Sequence, residues 1–544
     1  MPGPSRRGRQ SSAQAARPYA TRAERRRAET STDRAENPPI GMGGSTFWFS
    51  VLLTVVGALV PGAALFAAGR RRVGGVLLVL TLIGLFGLVW LALAGQRAVL
   101  YVAVNPRALL LIGLALPVVA LVWAVVVVTG WTSVRPLRTS SLQRAISATV
   151  VSLLCLAVVV PTVVASRYAL VQRDLVTSVF AAKDQRSATT PDDVTADDPW
   201  AGQARLNVLL LGGDGGRGRD GVRTDTVILA SIDTRSGDTT LFSLPRNLEN
   251  LPFPPGPLRE VYPDGFTAPG NAGETLLNAI YRNVPSQYPD VLGPTDDLGA
   301  DVLKLGVGEA LGLNVDYYML VNLEGFKQLV DALGGVTVDI NTWVPIGGVT
   351  DLGQLPDDYL SPGADQSLNG FQALWFARGR FGSSDYERMD RQRCVINAVI
   401  EQADPVTLLS RYQSLAATAQ DILSTDIPQT LLPAFVDLGL RIKDGAVTSV
   451  VFDTDVISPA YPDYDFIRAT VAKALAPPPS PPATSSTAPS ATAPPTSAAP
   501  SLEPTDPAAT GTPPAAESLE NSCAYDALTA QAALADGEPP TRRN

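Results

Sequence analysis

LNVLLLGGDGGRGRDGVRTDTVILASID (206–233) consists of two apolar runs separated by a glycine-rich segment. Both runs are rich in leucine and β-branched residues and are bounded by Gly and Asp, a pattern typical of two β-strands joined by a turn. Asp214 follows the first predicted strand, and Asp225 begins the second. Two carboxylates at adjacent strand ends suit a hard cation such as Mg²⁺, but a solvated hairpin turn with acidic residues has the same pattern.

Further strands and helices alternate on the C-terminal side of this hairpin. TTLFSLP (239–245) and VTVDI (336–340) have strand character, whereas LEGFKQLVDALGG (323–335) and DYERMDRQRCVINAVIEQA (385–403) have helical spacing. The alternation predicts one α/β domain over residues 203–475, with α/β/α layers around a mixed sheet.

The densest group of charged residues is FARGRFGSSDYERMDRQR (376–393). It contains two arginines on one side of an extended segment and then four polar residues at helical spacing: Arg378, Arg380, Asp385, Arg388, Arg391 and Gln392. Converging guanidinium groups suit phosphate or pyrophosphate, because arginine offers permanently charged, bidentate donors. The alternative is an exposed helix with internal salt bridges. Arg246, in SLPRN (243–247), ends another predicted strand, where an arginine is more often a surface ion-pair partner.

Residues 46–166 precede this domain and contain four apolar runs, at 46–69, 74–94, 108–129 and 146–165. Each run has the length of about 20 residues that a helix needs to cross the hydrocarbon core of a membrane. None contains Asp, Glu, Lys or Arg, so the runs do not resemble an ion path. The sequence therefore predicts a bundle of about four transmembrane helices.

The arginines around these runs give conflicting indications of orientation. Arg70-Arg71-Arg72 lies between the first two runs, and Arg135, Arg138 and Arg144 lie between the last two. The positive-inside rule places both loops in the cytoplasm and the α/β domain outside. With four spans the Arg-rich residues 1–45 would also lie outside, although alone they favour the cytoplasm. Either this arm is translocated or one run is re-entrant and three runs span.

The rest of the chain is polar or of low complexity. We expect a disordered arm over 1–45, a connector over 167–202, a Pro/Ser/Thr/Ala-rich linker over 476–515 and a more apolar tail over 516–544. The tail contains Cys523, and Cys394 is the other cysteine on the expected outer side. An oxidising compartment favours a disulfide between them, and two free thiols are the alternative.

Composition excludes several kinds of chemistry. With 0 His and 3 Cys, the chain cannot form a histidine-based catalytic triad, a His-ligated zinc site or a four-thiolate cluster. A formal net charge of −9 argues against a nucleic-acid partner. Any catalysis therefore depends on Asp, Glu, Arg, Lys, Ser, Tyr, backbone groups or a hard metal.

Taken in order, LLLGGD, RTDTVILASID, SLPRN, LNAIY, VDYYMLVNLEGFKQLVDALGGVTVDI, LNGFQALWFARGRF and DYERMDRQR resemble the LytR-CpsA-Psr (LCP) family over about residues 206–403. The resemblance implies a membrane-anchored, extracytoplasmic α/β/α enzyme of Gram-positive or actinobacterial cell walls. Such an enzyme moves an anionic glycopolymer from a polyprenyl-pyrophosphate carrier onto peptidoglycan, with Mg²⁺ on the pyrophosphate and an apolar pocket for the lipid. Its partners would be the carrier-linked glycopolymer, peptidoglycan and membrane lipid.

The resemblance also implies roles for individual residues. Asp214 and Asp225 match the metal-side aspartates, and our hypothesis assigns the pyrophosphate to Arg223, Arg246, Arg378, Arg380, Arg388 and Arg391. Asp385 and Gln392 complete the catalytic string, and Asp225 or Asp385 is the candidate base. Two positions depart from the family pattern. Asn247 replaces the aspartate of the PRD motif, and Leu276 replaces the usual lysine before the LN pair.

Two other functions would use the same residues. A hydrolase would split the lipid pyrophosphate with water in place of a sugar hydroxyl, and only its products would differ. A non-catalytic scaffold would bind wall polymer or lipid phosphate, and it would tolerate loss of Asp214 and Asp225. A transcriptional regulator is disfavoured by the membrane runs and the acidic net charge.

Overall fold

A computed structural model of the chain describes residues 47–93, 95–136, 138–181, 186–191, 193–215, 222–402, 423–476 and 514–542. The predicted arm over 1–45 and nearly all of the predicted linker over 476–515 lie outside these residues. The chain divides into two compact units, Met1–Trp90 with Leu114–Ala165, and Leu91–Gly113 with Ser166–Asn544.

The N-terminal helices follow the predicted apolar runs. In chain order they are α1 (Phe47–Leu59), α2 (Ala63–Ala67), α3 (Arg71–Leu93), α4 (Gln96–Ala103), α5 (Pro106–Val134) and α6 (Ser141–Val179). Within the described residues, three helices are long and apolar enough to cross a membrane, and they correspond to α3, α5 and α6. The prediction of about four spans is therefore supported for three of the runs.

The first apolar run (46–69) differs from its prediction as one span. α1 ends at Leu59 because Pro61 has no amide hydrogen to continue the helix and Gly62 adopts a left-handed φ of 98°. A Cβ atom on Gly57 would collide with Ala64, so α2 folds back closely against α1. The indole nitrogen of Trp123 donates to the carbonyl oxygen of Ala58 at 2.9 Å, near the C-terminal end of α1.

The α/β domain follows, and its elements alternate as the sequence predicts. In chain order they are β1 (Arg205–Gly213), β2 (Thr224–Asp233), β3 (Thr239–Leu244), α7 (Pro257–Val261), α8 (Ile280–Gln287), α9 (Leu298–Leu311), β4 (Tyr317–Asn322), α10 (Leu323–Leu333), β5 (Val336–Ile340), β6 (Val344–Val349), β7 (Gln354–Leu360), β8 (Gly363–Leu368), α11 (Gly370–Arg378), α12 (Asp385–Gln402), β9 (Leu423–Thr425), α13 (Leu432–Asp444), β10 (Val447–Val451), α14 (Tyr464–Leu475), β11 (Glu517–Ser518), α15 (Leu519–Ser522) and α16 (Ala527–Asp536). Short 3₁₀ turns lie at Ala272–Glu274, Leu277–Ala279, Thr350–Leu352 and Gln429–Leu431.

The central sheet is mixed, which confirms the predicted fold class. Its strand order is β11-β10-β3-β2-β1-β4-β9, with β5-β8 and β6-β7 as separate two-stranded sheets. β1 is parallel to β4 and β3 is parallel to β10, whereas β2 is antiparallel to both β1 and β3. β1, β3, β4 and β10 therefore run in the same direction, and their C-terminal ends lie along one side of the sheet, which we call the carboxyl edge.

Side chains from the two faces of this sheet enter two different cores. Leu209 and Leu211 of β1 pack on one face with Val307 of α9 and Ile467 of α14. Leu206 and Val208 point to the other face, towards Leu438 of α13. This alternation follows from the two-residue period of a strand and gives the helix–sheet–helix layers that the sequence predicts.

A buried ion pair fixes α9 to the end of β9. The Lys304 ammonium donates to the Asp426 carboxylate at 2.6 Å and to the Asp316 carbonyl, and both side chains of the ion pair are almost fully buried. The amide of Tyr318 and the hydroxyl of Thr190 donate to the same carboxylate, at 2.8 Å and 2.9 Å. The pair thereby joins the predicted connector, α9, β4 and β9 at one point.

The C-terminal tail is ordered over residues 514–542 and lies on the α/β domain. β11 pairs antiparallel with β10, at the end of the sheet opposite β9. Cys523 forms a disulfide with Cys394 of α12, with the two Cα atoms 5.5 Å apart, so the structure contains the bond expected from the sequence. The tail also accepts a hydrogen bond at Ala533 O from the indole of Trp343.

Candidate active site at the carboxyl edge

Asp214 and Asp225 lie on either side of the glycine-rich turn. β1 and β2 pair up to Gly213↔Thr224 with a bulge at Gly212/Gly213, so Asp214 leaves the sheet directly beside the start of β2. The amide of Asp214 donates to the Arg223 carbonyl, and the Arg223 amide donates back to the Asp214 carboxylate at 2.8 Å. Residues 216–221 of the turn lie outside the described residues. The two carboxylates nevertheless reach the same cavity.

Arg246 joins the strand ends to α12. Its guanidinium donates to Asp225 at 2.8 Å and lies 3.3 Å from Asp385, the first residue of α12. Burial on its own would lower the pKa of Arg246, but the hydrogen bond and charge of Asp225, together with Asp385, raise it. The strand-end arginine is therefore part of an ion-pair network, and the network connects three separate parts of the chain.

Asp385 is the centre of this network. Its carboxylate lies 2.9 Å from the guanidinium of Arg388, 3.3 Å from that of Arg246 and 3.8 Å from that of Arg380. The three positively charged guanidinium groups would repel one another at this spacing if the negative charge of Asp385 did not lie between them. The contacts of Asp385 thus indicate that it holds three arginines together, and its role as a base stays a prediction.

Arg388 is the most buried of these arginines, with only 3% of its side chain exposed. Burial lowers its pKa to about 10, and the charges of Asp385 and Asp225 oppose that change, so the guanidinium is still protonated at neutral pH. It also donates to the backbone carbonyl of Asp225 at 3.2 Å. A buried, fixed cation beside a cavity mouth is well placed to bind an anion.

Arg378 is the last residue of α11 and Arg380 lies two residues beyond it, so the prediction that both arginines lie on one extended segment is wrong. The helix starts at a capping box between Asn369 and Gln372 and ends at Arg378, whose guanidinium lies 5.6 Å from the centre of the Trp375 ring. Arg380 follows two residues later with about half of its side chain exposed. Both side chains line the mouth of the cavity.

Arg391 and Gln392 hold this segment in place through its backbone. Arg391 donates to the carbonyls of Phe376 and Gly379, the former at 2.8 Å, and Gln392 donates to the carbonyl of Ala377 at 3.3 Å. Gln392 also lines the cavity, whereas Arg391 is not among the lining residues. These contacts let Arg391 position the segment that carries Arg378 and Arg380, and its direct contact with pyrophosphate stays a prediction.

Arg223 pairs with a carboxylate away from the ion pairs around Asp385, and its contact with pyrophosphate stays a prediction. Its guanidinium lies 2.5 Å from the Glu274 carboxylate and donates to the carbonyl of Gly273 at 3.2 Å. Glu274 pairs with Arg282 as well, and Asn283 donates to it. Arg223 and Arg246 are both absent from the lining of the cavity, but Arg246 joins the ion pairs around Asp385, whereas Arg223 pairs with Glu274.

The cavity extends from this charged mouth along the sheet. It has a volume of about 540 Å³, within the usual range for a ligand site, and most of its surface is apolar. Its floor is the face of the sheet that carries Val208, Leu210 and Leu241, and α12 and α13 cover it with side chains that include Ile396, Phe435 and Leu438. The molecule therefore joins a long apolar cavity to a mouth of arginines and aspartates.

Two residues at the mouth were not assigned a role from the sequence. The Asn278 amide lies 3.4 Å from the Asp225 carboxylate, and Asn322, the last residue of β4, caps α10 and lines the cavity. Asn278 belongs to LNAIY, a motif that contributed to the family resemblance without a proposed chemical role. Asn278 lies in a 3₁₀ turn 53 residues after Asp225, and Asn322 pairs with Gly213 across the parallel strands β1 and β4, so sequence spacing alone places neither residue at the mouth.

Asp225 is better suited to bind a cation than to accept a proton. Burial would raise its pKa, but the hydrogen bond and charge of Arg246, the charge of Arg388 and the Asn278 amide together lower it below the ordinary value. A general base is most effective when its pKa lies near the working pH, so a lowered pKa argues against Asp225 in that role.

A Mg²⁺ ion would find only part of its ligand set in the protein. No group of three or more His, Cys, Asp or Glu side chains that could hold a metal occurs within the described residues. Asp214 and Asp225 supply two carboxylates at the cavity mouth. Mg²⁺ commonly takes one or two carboxylates and completes its octahedron with water and substrate phosphate oxygens, so the two residues fit such a site.

Comparison with known proteins identifies relatives of this chain. Two TagU proteins, polyisoprenyl-teichoic acid–peptidoglycan teichoic acid transferases of Enterococcus faecalis and Oceanobacillus iheyensis, are 31% and 33% identical over 228 and 235 residues. The matches cover 41% and 42% of this chain and 61% and 62% of the relatives, so the chain spans about three fifths of their length.

Solved structures with partial similarity include protein gbs0355 of Streptococcus agalactiae and TagV of B. subtilis. They are 25% and 21% identical, with TM-scores of 0.35 and 0.33. The matches cover 46% and 49% of this chain and 77% and 96% of those chains.

A family model matches most of the connector, the strands β1 to β10 and every residue of the charged mouth. The match is to the LytR_cpsA_psr family and covers residues 173–456, more than half of the 544-residue chain. The predicted resemblance is thereby confirmed, and this chain belongs to the LytR_cpsA_psr family.

Proposed function

We propose that this protein is a membrane-anchored phosphotransferase of cell-wall assembly. It moves an anionic glycopolymer from a polyprenyl-pyrophosphate carrier onto a sugar hydroxyl of peptidoglycan and forms a phosphodiester link. The observation that carries the proposal is the continuity of a long apolar cavity with a mouth of arginines and aspartates. The names of the TagU relatives, which describe transfer of teichoic acid from a polyisoprenyl carrier to peptidoglycan, support the same reaction class.

The two parts of the cavity match the two parts of the carrier. An isoprenoid chain gains about 0.8 kcal/mol for each CH₂ group that leaves water, and the apolar part of the cavity offers such an environment. The pyrophosphate then lies at the mouth, against Arg378, Arg380 and Arg388, whose charges compensate its oxygens. Neither a free sugar nor a nucleotide carries a long apolar chain attached to a pyrophosphate.

The chain's own residues account for most of what phosphoryl transfer requires. Such a transfer depends mainly on positioning and on charge stabilisation, and a side-chain nucleophile is not needed. The acceptor hydroxyl oxygen forms a bond to the phosphorus that carries the glycopolymer and loses its proton, for which Asp385 is the candidate acceptor. The bridging P–O bond to the carrier phosphate breaks, and polyprenyl phosphate leaves with the electron pair. Arg388 and Arg246 are held by Asp385 and stabilise the charge that develops on the leaving group. Mg²⁺, bound by Asp214 and Asp225, would contribute further charge compensation at the pyrophosphate.

We further propose that the catalytic domain faces the outside of the membrane. Because α1 is short and α2 folds back on it, only α3, α5 and α6 need to span. Three spans leave the Arg-rich arm, Arg70-Arg71-Arg72 and the loop with Arg135 and Arg138 on the cytoplasmic side, as the positive-inside rule requires. The loop helix α4 would lie outside, and the hydrogen bond from Tyr101 of α4 to Asp437 of α13 is consistent with that side.

Substitution of Arg378 and Arg380 tests the reaction. We expect Arg378→Ala and Arg380→Ala to abolish attachment of polymer when the full chain in nanodiscs is given a polyprenyl-pyrophosphate glycan, peptidoglycan fragments and Mg²⁺. Arg235, on the turn after β2 and remote from the mouth, provides the matched control Arg235→Ala, which should keep full activity. Full attachment by both site variants would exclude this site. Polyprenyl phosphate released at equal rates with and without peptidoglycan would instead identify a hydrolase.

A further inference from the structure

A second cavity, lined by tyrosines, opens at the same carboxyl edge. We call it the tyrosine pocket and define it by Asn250, Phe253, Arg259, Asp264, Tyr461 and Tyr464. Its volume is about 440 Å³, and its walls combine aromatic rings, proline and a few polar groups. Tyr461 is 86% exposed to solvent, although the large apolar ring of a tyrosine usually packs against other protein groups.

The walls of the tyrosine pocket are firmly connected to the active site. One wall follows β3 and the other follows β10, which are parallel, so both walls lie at the edge where Arg246 lies. The Glu249 amide donates to Pro459 O at 2.9 Å, and the Tyr464 hydroxyl donates to Glu249 O at 2.7 Å, which joins the walls. Asn250 is four residues after Arg246, so their Cα atoms are at most about 14 Å apart.

The backbone of the pocket is shaped in a way that costs free energy. Asn250 has a left-handed φ of 50°, one of three positive values outside glycine in the described residues. Gly265 lies directly against its backbone, where a Cβ would collide with the Asn250 carbonyl carbon. Residues held in such conformations concentrate at binding and active sites.

The charges of the pocket favour an uncharged ligand with many hydroxyl groups. The Arg259 guanidinium is paired with Glu309 at 2.8 Å, and Asp264 contributes a further negative charge. The pocket therefore has no excess positive charge with which to hold pyrophosphate or an anionic polymer. Arg259, Asp264 and Asn250 instead provide hydrogen-bond donors and acceptors around an exposed aromatic ring, on which the apolar face of a sugar can pack.

We propose that the tyrosine pocket binds the glycan strand of the acceptor and thereby delivers one of its hydroxyls to the arginine mouth. This inference rests on the proposed function, because it gives the second substrate its own binding site at a short distance from the first. An oligosaccharide that occupies the pocket can span the distance to Arg246 with a few sugar units. Tyr461 would then determine the affinity for acceptor without contact with the reacting atoms.

The proposal is tested by titration of chitotetraose, an uncharged N-acetylglucosamine tetramer, into the full chain in nanodiscs. Tyr461→Ala should weaken binding by about tenfold, the factor expected for loss of one good aromatic contact. Tyr461→Phe keeps the ring and should bind as the unsubstituted chain does. Equal affinities of the unsubstituted and Tyr461→Ala chains, or no binding by the unsubstituted chain, would overturn the proposal.

A second comparison separates this proposal from the proposed reaction. Arg380→Ala should bind chitotetraose normally, and a loss of affinity in that variant would place the sugar at the arginine mouth and overturn the pocket assignment. In the transfer assay Tyr461→Ala should raise the KM for peptidoglycan fragments and leave kcat unchanged. If no chain transfers polymer but Tyr461-dependent binding persists, the reaction is refuted and the glycan site stands.

Discussion

The role of each charged residue at the mouth of the cavity depends more on the groups that it contacts than on its residue type. Arg378 and Arg391 are both arginines of one sequence cluster, but one lines the cavity and the other binds backbone carbonyls. The sequence identified which arginines lie close together, because they belong to one short segment. It could not show which arginines face the cavity and which bind the backbone, because that depends on where the end of α11 lies relative to α12.

The ionisation of Asp225 gives a prediction about stability and pH. Its pKa is lowered in the folded state, so the ionised carboxylate stabilises the fold fully above its ordinary pKa near 3.8, and this contribution is lost as pH falls through the lowered value. We expect the Tm difference between the unsubstituted chain and Asp225→Asn to be constant near neutral pH and to shrink below the ordinary pKa. Thermal unfolding followed by tryptophan fluorescence measures it. A difference that does not change with pH would contradict the ion-pair network around Asp225.

At the scale of the elements, α9 and β9 depend on a contact that no local pattern reveals. Lys304 lies in a helix of mostly apolar residues, and Asp426 is 122 residues away, just after a three-residue strand. The segment GADVLKLGVGEALGL (299–313) has helical spacing because its apolar positions dominate the pattern, so the helix itself can be predicted from the sequence. The ion pair itself was not predictable, because it requires the parallel pairing of β1 with β4 and the antiparallel pairing of β4 with β9.

Removal of Lys304 should destabilise the domain strongly. In Lys304→Met the Asp426 carboxylate stays buried without its cation, and we expect a loss of about 3–5 kcal/mol in the free energy of unfolding. Lys327→Met is the matched control, because Lys327 forms a solvent-exposed pair with Glu324 and such pairs contribute only about 0–1 kcal/mol. Denaturant titration of both variants compares them. Equal losses of unfolding free energy in the two variants would mean that the buried Lys304–Asp426 pair stabilises the fold no more than the exposed Lys327–Glu324 pair.

At the scale of the whole molecule, the sequence predicted the order of the parts well and the membrane spans less well. Composition separates apolar helices, the α/β domain and the tail because each has a different residue content. Composition predicted one membrane span over the apolar run 46–69, which is long enough, but Pro61 and Gly62 divide this run into two short helices. The family resemblance implied an apolar pocket for the lipid, but the residues that line it could not be predicted, because they come from strands and helices dispersed over more than 230 residues, from Val208 to Ile442.

The interrupted first run leads to a prediction about topology. If α1 and α2 do not cross the membrane, the residues before Phe47 lie in the cytoplasm. A green fluorescent protein fused before residue 47 should fluoresce, and alkaline phosphatase at the same position should be inactive. Fusions at residue 542, after the tail, should give the reverse result. An active phosphatase at the N-terminal position would require a fourth span.

The disulfide gives a prediction about the stability of the α/β domain. Cys394 and Cys523 are 129 residues apart, and closing so long a loop restricts the unfolded chain considerably. We expect Cys523→Ser to reduce the free energy of unfolding by about 2–5 kcal/mol. Cys155→Ala, a change at the free cysteine of α6, is the control and should have little effect. Tm values that do not differ between Cys523→Ser and the unsubstituted chain would show that the disulfide does not stabilise the fold.

The same bond also bears on proteolysis. Residues 476–515 are rich in Pro, Ser, Thr and Ala, and a protease cut anywhere between Ala476 and Cys523 would separate the tail from the domain in a chain without cross-links. Here the disulfide retains the cut piece, so β11 stays on β10 and the hydrogen-bonding edge of that strand stays covered. A nicked molecule would therefore migrate as one species until a reductant divides it in two.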